Sequence, residues 1–332
     1  MKIGIIGLGS IGQRHGRTLL RLGHEDIIAL RSGKGSIRKL PAGLDSVEMY
    51  SDPGQFFGQA PDGIIISNPS SLHVKTLGPV LKHNIPVFVE KPLSVSLSEL
   101  KSIRNYDHSR VMVGFCLRHH IVTGALKRLL ISKKVGKVIK ATLYCGNYLP
   151  LWHPYTDYRN EYFSRRDLGG GVLRTLSHEI DLMHFLFGPV SELAAFSGRL
   201  SALEIDVDDT AVLICRMAGG SLTTIELDYL NASFSRHGTI FCSNGTVKYS
   251  FRPLRVVFTD YKGEVMNLLG KKAASQEKAD ETMYMDQMKN FLGFVSGQEE
   301  ALCTYPDGVE VMRVIDAAEQ ASERKRWQKI KR

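Results

Sequence analysis

The chain begins with an apolar run that leads directly into a glycine-rich loop, and this junction constrains the fold more than any other feature. Lys2–Gly7 (KIGIIG) has the apolar character of a buried strand, and Ser10–Leu22 has the pattern of a helix. The loop between them, Gly7–Gly12 (GLGSIG), has the spacing G-x-G-x-x-G. A strand, a loop of this spacing and a helix in direct succession are typical of a dinucleotide-binding unit on a parallel sheet.

Each glycine of the loop has its own role in that interpretation. Gly7 permits the tight turn after the strand, Gly9 lets a pyrophosphate approach the backbone, and Gly12 lets the helix pack closely on the strand. Ser10 and Ile11 open the helix, whose N-terminal N–H groups offer hydrogen bonds and positive potential to phosphates. We therefore predict that these five residues bind a dinucleotide cofactor.

The rest of the first 118 residues alternates short apolar runs with helical patterns. Near-continuous apolar strands separated by helices are typical of a doubly wound parallel sheet covered on both faces. The further predicted strands are Ile27–Leu30, Gly63–Ser67, Pro86–Val89 and Val111–Phe115, and the further predicted helices are Leu72–His83 and Ser96–Tyr106. Residues 1–118 are thus predicted to form a Rossmann domain that binds NAD(P).

The pattern changes after Arg118. Strand patterns now succeed one another, and two turns, Ala218–Gly220 and Ser243–Gly245, contain residues that tolerate positive φ. The predicted strands are Val138–Leu149, Val190–Gly198, Val207–Met217, Ser221–Leu230, Gly238–Cys242, Val247–Ser250 and Leu254–Phe258, and the predicted helices are Val122–Ile131, Val172–Phe187, Asp280–Ser296 and Asp307–Ala321. We predict that residues 119–332 form an α/β domain with a mostly antiparallel open sheet, which binds the substrate and forms oligomers.

Composition and charge exclude several classes of protein. The five cysteines are widely spaced without a C-x-x-C pair, so neither a disulfide framework nor a thiolate metal site is expected. No apolar run approaches the ~20 residues of a membrane-spanning helix. The net charge is +9, but Arg324–Arg332 holds six basic residues and no acidic one, which leaves 37 basic against 34 acidic side chains elsewhere. We expect a cytoplasmic protein without nucleic-acid or membrane partners, and interpret the basic tail as a solvated helix end.

The end of the second predicted strand points to the choice of cofactor. NAD-selective folds usually place Asp or Glu about 20 residues after the glycines, where it accepts a hydrogen bond from the ribose 2′-OH. This chain has Arg31 and Ser32 there, with Lys34, Arg38 and Lys39 nearby. Because cations and a hydroxyl suit a 2′-phosphate, we predict NADP(H) in preference to NAD(H). The alternative is that these are solvated loop charges and that NAD(H) is the cofactor.

A lysine follows the predicted strand Pro86–Val89. Glu90, Lys91 and Pro92 stand at the carboxyl end of that strand, where ligands bind in open parallel sheets. The ammonium group of a lysine at this edge can donate hydrogen bonds to both a substrate hydroxyl and the cofactor ribose. We therefore predict that Lys91 is catalytic and contacts both molecules.

Four motifs together resemble the glucose–fructose oxidoreductase / inositol dehydrogenase / rhizopine catabolism (Gfo/Idh/MocA) family. They are the GLGSIG loop, Asn68–His73 (NPSSLH) after a strand, Glu90–Leu93 (EKPL), and Gly169–Gly171 (GGG) leading to Ser177–Asp181 (SHEID). Their order and spacing extend over residues 1–190. The resemblance implies a Rossmann domain followed by an α/β domain with a mostly antiparallel sheet. It also implies hydride transfer at a carbon of a sugar, cyclitol or sugar nucleotide.

The resemblance implies roles for individual residues as well. By motif position, Lys91 is similar to the family's lysine and His178 to its general acid or base. The residues that the resemblance places beside the cofactor are Asn68, Pro69, His73 and Glu90.

One position departs from the family pattern. The family commonly has an aspartate four residues before the histidine, where this chain has Arg174, one helical turn from His178. An arginine there lowers the proton affinity of the imidazole by like-charge repulsion. Three explanations stay open: Asp181 or another carboxylate orients His178, Arg174 binds an anionic substrate, or dehydrogenation is impaired. Asp181, three residues after His178, is our candidate for the orienting and catalytic carboxylate.

Aromatic and arginine side chains are concentrated in residues 148–167. Aromatic rings cover the apolar faces of sugars, and arginines bind phosphate or carboxylate. The segment resembles one in family members linked to surface-polysaccharide and sialic-acid-like pathways, which favours a phosphorylated, nucleotide-linked or acidic sugar. The predicted substrate contacts are Lys91, Arg118, Tyr148, Trp152, Arg159, Arg174 and His178. The alternative is that the aromatics form a core under a long loop and that the arginines are solvated.

These observations lead to one favoured function and two alternatives. The favoured function is an NADP(H)-dependent sugar oxidoreductase of carbohydrate or surface-polysaccharide metabolism, in which a group near His178 moves the hydroxyl proton and Lys91 polarises the same oxygen. The alternatives are a non-catalytic dinucleotide-binding sensor or regulator, and an epimerase or lyase whose tightly bound cofactor cycles. We expect a homodimer or homotetramer, because the resemblance implies that a second subunit covers the open sheet.

Overall fold

The computed structural model describes residues 1–31, 33, 43–153, 156–270 and 275–331. The chain divides into two compact units. The first consists of Met1–Cys116 with Glu281–Val309, and the second of Leu117–Asp280 with Glu310–Arg332. The first crossing lies two residues before the predicted boundary at 118, whereas the return of Glu281–Val309 to the first unit was not predicted.

The helices and strands of the described residues are numbered along the chain. The strands are β1 Ile3–Ile6, β2 Ile27–Leu30, β3 Glu48–Tyr50, β4 Gly63–Ile66, β5 Val87–Val89, β6 Val111–Val113, β7 Val138–Gly146, β8 Val190–Gly198, β9 Thr210–Met217, β10 Leu222–Asp228, β11 Ser235–Cys242, β12 Gly245–Phe251, β13 Leu254–Asp260, β14 Val265–Asn267 and β15 Gln328–Lys329. The helices are α1 Ser10–Arg21, α2 Pro53–Gly58, α3 His73–Lys82, α4 Leu97–Leu100, α5 Ile121–Ile131, α6 Val172–Thr175, α7 His178–Phe187, α8 Gln276–Val295 and α9 Tyr305–Arg324.

The first unit is built on a parallel sheet. Its strands follow the order β3-β2-β1-β4-β5-β6, and each neighbouring pair is parallel. Strands β1 and β4 are buried along their whole length, as expected for strands covered on both faces. The structure confirms the predicted doubly wound fold and brings the carboxyl ends of β1, β2, β4 and β5 to one edge.

Helix α8 explains why Glu281–Val309 belongs to the first unit. Met288, Phe291 and Leu292 on this helix are part of the same buried cluster as Ile3 and Phe88 of the sheet. Burying a side chain of this size is worth about 1.5–3 kcal/mol relative to leaving it exposed. The apolar pattern of the helix predicts burial, but nothing in it identifies which of two sheets the helix covers.

The second unit is built on a sheet with the order β14-β13-β12-β11-β7-β10-β9-β8-β15. Strands β7 and β10 are parallel, and the other neighbours are antiparallel, so the predicted mostly antiparallel sheet is confirmed. Gly220 and Gly245 have positive φ at the predicted hairpin turns. The basic tail differs from the prediction: α9 ends at Arg324, and Gln328–Lys329 pairs with β8 as a sheet edge rather than extending a helix.

Other differences concern short elements. β3 and α2 were not predicted, because β3 has only three residues, none of them buried. A signal for α2 exists, since Asp52 accepts a hydrogen bond from the N–H of Gln55 and Pro53 occupies the first turn. The helix predicted over Val172–Phe187 is interrupted between α6 and α7.

Three further observations concern the cysteines, membrane-spanning helices and clusters of metal-binding side chains. All five cysteines are buried, and none of them forms a disulfide. Of the helices that the structure describes, none combines the length and the apolar character needed to cross a bilayer. Within the described ranges, no cluster of three or more His, Cys, Asp or Glu side chains is arranged to bind a metal ion.

Candidate active site

The glycine loop has the shape that its spacing predicts. A Cβ atom on Gly7, whose φ is +97°, would lie 2.7 Å from the backbone nitrogen of Asn68. A Cβ atom on Gly12 would lie 2.1 Å from the carbonyl oxygen of Gly7 and 2.7 Å from Oγ of Ser67. A Cβ atom on Gly9 would meet no atom within 4 Å. Gly7 and Gly12 are therefore required by packing inside the protein, whereas Gly9 leaves its backbone open to a ligand.

The polar groups around the loop fit a dinucleotide. Helix α1 begins after Gly9 without a side-chain hydrogen bond at its N-cap, and Ser10 is exposed while Ile11 is half-buried. Nδ2 of Asn68 donates to Thr76 at 2.8 Å, and the buried Oδ1 of the same amide has no hydrogen-bond partner among the described residues. Pro69 is exposed beside it. The open N–H groups and the unused acceptor would suit phosphate and ribose, respectively.

The residues predicted to select the cofactor are only partly described. Arg31 follows β2, is half-buried, and donates its backbone N–H to the carbonyl of Tyr50 at 2.9 Å. Ser32, Lys34, Arg38 and Lys39 lie outside the described residues. Of the residues predicted to select the cofactor, the structure describes Arg31.

The turn after β5 places Lys91 at the carboxyl edge of the parallel sheet. Lys91 is half-buried, and its peptide bond to Pro92 is cis. Oε2 of Glu90 accepts a hydrogen bond from the backbone N–H of Lys91 at 3.1 Å, and Oε1 lies 2.6 Å from Nε2 of the buried His15 on α1. Glu90 thus contacts the protein with both carboxylate oxygens, and its predicted contact with the cofactor stays a prediction.

His73 ties the same turn to the start of α3. Its Nδ1 lies 2.8 Å from the carbonyl of Pro92, and its Nε2 lies 3.0 Å from the carbonyl of Asn68. Burial lowers the pKa of His73 below its ordinary value, although both backbone contacts oppose this shift. Both ring nitrogens face backbone carbonyls, and the predicted contact of His73 with the cofactor stays a prediction.

In the second unit, the glycine triplet and His178 lie on either side of the short helix α6. A Cβ atom on Gly170 would lie 2.4 Å from the carbonyl of Tyr162, and one on Gly171 would lie 2.2 Å from Oδ1 of Asp208. Asp208 accepts a hydrogen bond from the N–H of Leu173 at 3.1 Å, and burial raises its pKa. Gly171 therefore lets the carboxylate of Asp208 reach the start of α6. His178 itself is half-buried and begins α7.

The carboxylate of Asp181 forms an ion pair with an arginine. Nε of Arg118 lies 3.1 Å from both carboxylate oxygens of Asp181, and Nη2 lies 2.7 Å from Oδ1. Both side chains are almost completely buried, and the guanidinium also lies 4.8 Å from the ring centre of Phe185. The structure thus unites Arg118, predicted to bind substrate, with Asp181, predicted to be catalytic, in one ion pair. The orientation of His178 by Asp181 stays a prediction.

A second buried ion pair lies beside His178 and was missed by the sequence analysis. Nε of Arg236 on β11 donates to Oε1 of Glu179 at 2.6 Å, and the Glu179 side chain is 1% exposed. Glu179 directly follows His178 in the chain. Its position in SHEID was a usable signal, because a carboxylate on a buried helix face requires a cation. The identity of that cation comes only from the tertiary structure.

Arg174 also pairs with a carboxylate. Its Nη1 lies 2.7 Å from Oε1 of Glu319 on α9. Burial raises the pKa of Glu319, and Arg174 opposes this shift. Because α6 and α7 are separate helices, the predicted spacing of one helical turn between Arg174 and His178 does not apply. The positive charge of Arg174 is balanced by Glu319, which weakens the argument that it binds an anionic substrate.

The aromatic segment combines packed rings and surface ion pairs. Trp152 is half-buried, with its ring centre 5.1 Å from that of Phe163 and 5.4 Å from that of Tyr229. Arg159 is half-exposed and contacts Asp157 at 2.8 Å and Glu204 at 2.6 Å. Tyr148 is 37% exposed. Trp152 therefore contributes to the packing of the segment, and Tyr148 has the most accessible ring of those predicted to contact a substrate.

Comparison with family models covers most of both units. Residues 1–115 match the model described as an oxidoreductase family with an NAD-binding Rossmann fold. Residues 123–248 match the GFO/IDH/MocA C-terminal domain. The two matched ranges contain the glycine loop, Lys91, Arg118's ion-pair partner Asp181, and His178.

Comparison with individual proteins gives relatives of the same length. Myo-inositol 2-dehydrogenase of Thermotoga maritima is 26% identical, covering 99% of this chain and 98% of the relative. Rhizopine catabolism protein MocA of Rhizobium meliloti is 26% identical, covering 68% of this chain and 70% of the relative. An oxidoreductase from Agrobacterium radiobacter, solved with NAD+, L-tartaric acid and magnesium, has a TM-score of 0.84 at 17% identity, covering 99% of this chain and 98% of that chain.

Proposed function

Because the chain belongs to the Gfo/Idh/MocA family and is an oxidoreductase acting on CH–OH groups, we propose that it transfers a hydride between a nicotinamide dinucleotide and a carbon of a cyclitol or sugar. The glycine loop is the observation that carries this proposal. Gly7 and Gly12 are closed against the protein, while Gly9 is open to a ligand at the start of α1. This arrangement is expected where a pyrophosphate lies against the backbone.

Two side chains share the proposed chemistry. In the oxidative direction, His178 takes the proton of the substrate hydroxyl. The ammonium group of Lys91 donates a hydrogen bond to a substrate oxygen. In the reductive direction, His178 returns the proton. A bound nicotinamide supplies the hydride acceptor or donor at carbon 4 of its ring. General acid–base assistance of this kind is worth ~10²–10⁴-fold in rate.

We propose a neutral polyol as the substrate rather than an anionic sugar. Each arginine predicted to bind substrate pairs with carboxylates: Arg118 with Asp181, Arg174 with Glu319, and Arg159 with Asp157 and Glu204. Binding a phosphate or carboxylate would require one of these pairs to break or to accept a further negative charge. The inositol 2-dehydrogenases among the relatives support the same choice.

We propose NADP(H) in preference to NAD(H), on the basis of Arg31 at the end of β2. The 2′-phosphate of NADP(H) gains a charge-assisted hydrogen bond from a guanidinium, and NAD(H) does not. Titration by nicotinamide fluorescence should give a lower Kd for NADPH than for NADH. Arg31→Met should raise the Kd for NADPH about 10-fold, equivalent to 1.4 kcal/mol, and leave that for NADH unchanged. Tighter binding of NADH by the unaltered protein would contradict the preference.

The experiment that tests the proposed reaction compares Lys91→Met with the unaltered chain. Formation of reduced nicotinamide is followed with NAD+ and NADP+ against myo-inositol, other neutral polyols and phosphorylated sugars. We expect turnover with a neutral polyol, and Lys91→Met should lower kcat by ~10²–10⁴-fold at saturating cofactor. Lys91→Arg serves as the control that keeps the charge.

Two results would favour the other functions. Cofactor binding without turnover of any polyol by the unaltered protein would favour a dinucleotide sensor or regulator. Nicotinamide retained through purification, together with conversion of substrate without net oxidation, would favour an epimerase or lyase whose cofactor cycles.

We propose that the chain forms a homodimer or homotetramer through the open face of its large sheet. Phe196 and Val212 are cross-strand neighbours on that face, as are Ala194 and Ile214, and Phe196 is 46% exposed. Apolar neighbours on an exposed sheet face are stabilised when a second surface covers them. Light scattering at micromolar concentration should give a dimer or a tetramer, and a monomer would contradict the proposal.

A further inference from the structure

Buried hydrogen bonds connect helix α1, which follows the glycine loop, to the turn after β5 that carries Lys91. His15 lies on α1, three residues after the last glycine of the loop, and its side chain is completely buried. Its Nε2 lies 2.6 Å from Oε1 of Glu90, and Oε2 of Glu90 accepts from the backbone N–H of Lys91 at 3.1 Å. One carboxylate thus joins two segments that are 75 residues apart in the sequence.

The hydrogen bonds define which groups donate. Nδ1 of His15 is buried and has no hydrogen-bond partner among the described residues. A proton on Nδ1 would therefore be buried without an acceptor, which is unfavourable, so the ring carries its proton on Nε2 and donates it to Glu90. Glu90 then accepts from two donors, the imidazole and the Lys91 amide, as an ionised carboxylate does.

The surroundings strengthen these hydrogen bonds. The ring of Phe88 on β5 lies edge-on to His15, with centroids 5.1 Å apart. The His15 side chain is 0% exposed and the Glu90 side chain 10%. Hydrogen bonds to a charged group in such a poorly solvated place are strong, and they are costly to leave unmade.

Resting on the proposed function of Lys91, we propose that His15 and Glu90 are a positioning pair that sets the backbone of the catalytic turn and links it to the helix behind the dinucleotide loop. Neither side chain is assigned a contact with the reacting atoms. The pair acts through the backbone N–H of Lys91. The orientation of the backbone at this residue determines the position from which the side chain with its ammonium group extends. A displacement of about 1 Å at a catalytic group can cost about 100-fold in rate, so a small shift of this turn is enough to affect kcat.

His15→Met and His15→Gln provide a matched test. The two replacements have similar size, but only glutamine keeps an N–H donor that can reach Glu90. We expect His15→Met to lower kcat about 10–100-fold, with the KM of the polyol and the Kd of the cofactor within about threefold. We expect His15→Gln to stay within about threefold of the unaltered enzyme. A purely structural role would affect both variants alike.

Hydrogen exchange supplies a readout that does not depend on catalysis. In the ligand-free protein, exchange of the Lys91 amide, measured by mass spectrometry on peptides that cover the turn, should be about 10-fold faster in His15→Met than in the unaltered chain or in His15→Gln. Phe56→Leu, which enlarges a buried site in the same unit, controls for general destabilisation. Because the exchange rate of the Lys91 amide does not depend on turnover, it tests the positioning role of His15 and Glu90 even if the protein does not catalyse the proposed hydride transfer.

A second variant covers the case in which His15→Met does not fold. Glu90→Gln replaces one carboxylate oxygen by an NH2 group, which must face either the imidazole donor or the Lys91 amide donor, so it should give the same loss of kcat and the same faster exchange. Equal kcat and equal Lys91 exchange in His15→Met, Glu90→Gln and the unaltered protein would overturn the proposal.

Discussion

The turn that carries Lys91 and the helix that carries His178 are stabilised by different kinds of contact. Around Lys91, Oε1 of Glu90 is hydrogen-bonded to His15, Oε2 of Glu90 accepts the N–H of Lys91, and Nδ1 of His73 faces the carbonyl of Pro92. Around His178, the neighbouring carboxylates Glu179 and Asp181 each pair with an arginine from elsewhere in the second unit.

The two kinds of contact differ in how much stability is lost when one partner is removed. A hydrogen bond to a charged group such as Glu90 is worth about 1.5–3 kcal/mol, whereas removing one partner of a buried ion pair costs about 3–5 kcal/mol. Substitutions around His178 should therefore affect folding first, and substitutions around Lys91 should affect turnover first. Substitutions of Arg118, His120 and Gly9 test this contrast, and their expected effects on the free energy of unfolding decrease in that order.

Arg118→Met should destabilise the second unit most. Asp181 is 1% exposed and would lose the guanidinium that is paired with it, so the free energy of unfolding should fall by about 3–5 kcal/mol. Urea unfolding measures this change. The double variant Arg118→Met with Asp181→Leu replaces the pair by apolar groups and should recover most of the loss. A double variant no more stable than the single one would show that packing, and not the unpaired charge, dominates.

The pH dependence of stability should report on His120 in the second unit. Burial is the largest cause that lowers the pKa of His120 to about 4, with Arg236 and Arg252 acting in the same direction and Asp280 opposing them. The unfolded chain, with a histidine pKa of about 6.5, takes up the proton first as the pH falls. The contribution of His120 is therefore fully present above pH 6.5 and is lost towards pH 4, by about 3 kcal/mol.

His120→Asn is the matched control for that measurement. Nδ1 of His120 accepts the N–H of Val122 at the start of α5, and asparagine can accept the same hydrogen bond. Thermal unfolding of this variant between pH 7 and pH 4 should show a shallower loss of stability than that of the unaltered chain. Parallel pH profiles would assign the acid sensitivity to other groups, with His73 of the first unit as the first to examine, since burial also lowers its pKa.

Gly9→Ala should have the smallest effect on folding and a clear effect on binding. A Cβ atom on Gly9 meets nothing within 4 Å, so the free energy of unfolding should change by about 1 kcal/mol or less. The methyl group would occupy the space beside the backbone where a pyrophosphate would lie, so the Kd of the cofactor should rise about 10-fold in a fluorescence titration. Gly12→Ala, whose Cβ would lie 2.1 Å from the carbonyl of Gly7, should impair folding instead. An unchanged cofactor Kd in Gly9→Ala would contradict the proposal that the pyrophosphate lies against the backbone at Gly9.

The same contrast explains how much of the site could be predicted. The glycine loop and the Lys91 turn were identified because their function follows from a few neighbouring residues at the end of a strand. The exact partners of Glu179 and Arg174 could not be predicted, because Arg236 and Glu319 lie on elements that are distant in the sequence. His73 and Glu90 were predicted to contact the cofactor; the structure shows their contacts with the protein, and the contact with the cofactor stays a prediction.

By itself, the sequence determined the alternation of strand and helix in the first unit, the mostly antiparallel sheet in the second, and the glycine loop that begins the chain. These features depend on local backbone freedom and on apolar periodicity, which are properties of short segments. Only the tertiary structure decided that α8 returns to the first sheet, that Gln328–Lys329 of the basic tail pairs with the edge of the second sheet, and that each predicted substrate-binding arginine faces a carboxylate. Such pairings depend on which distant segments meet, because a buried charge takes whichever opposite charge the fold brings within reach.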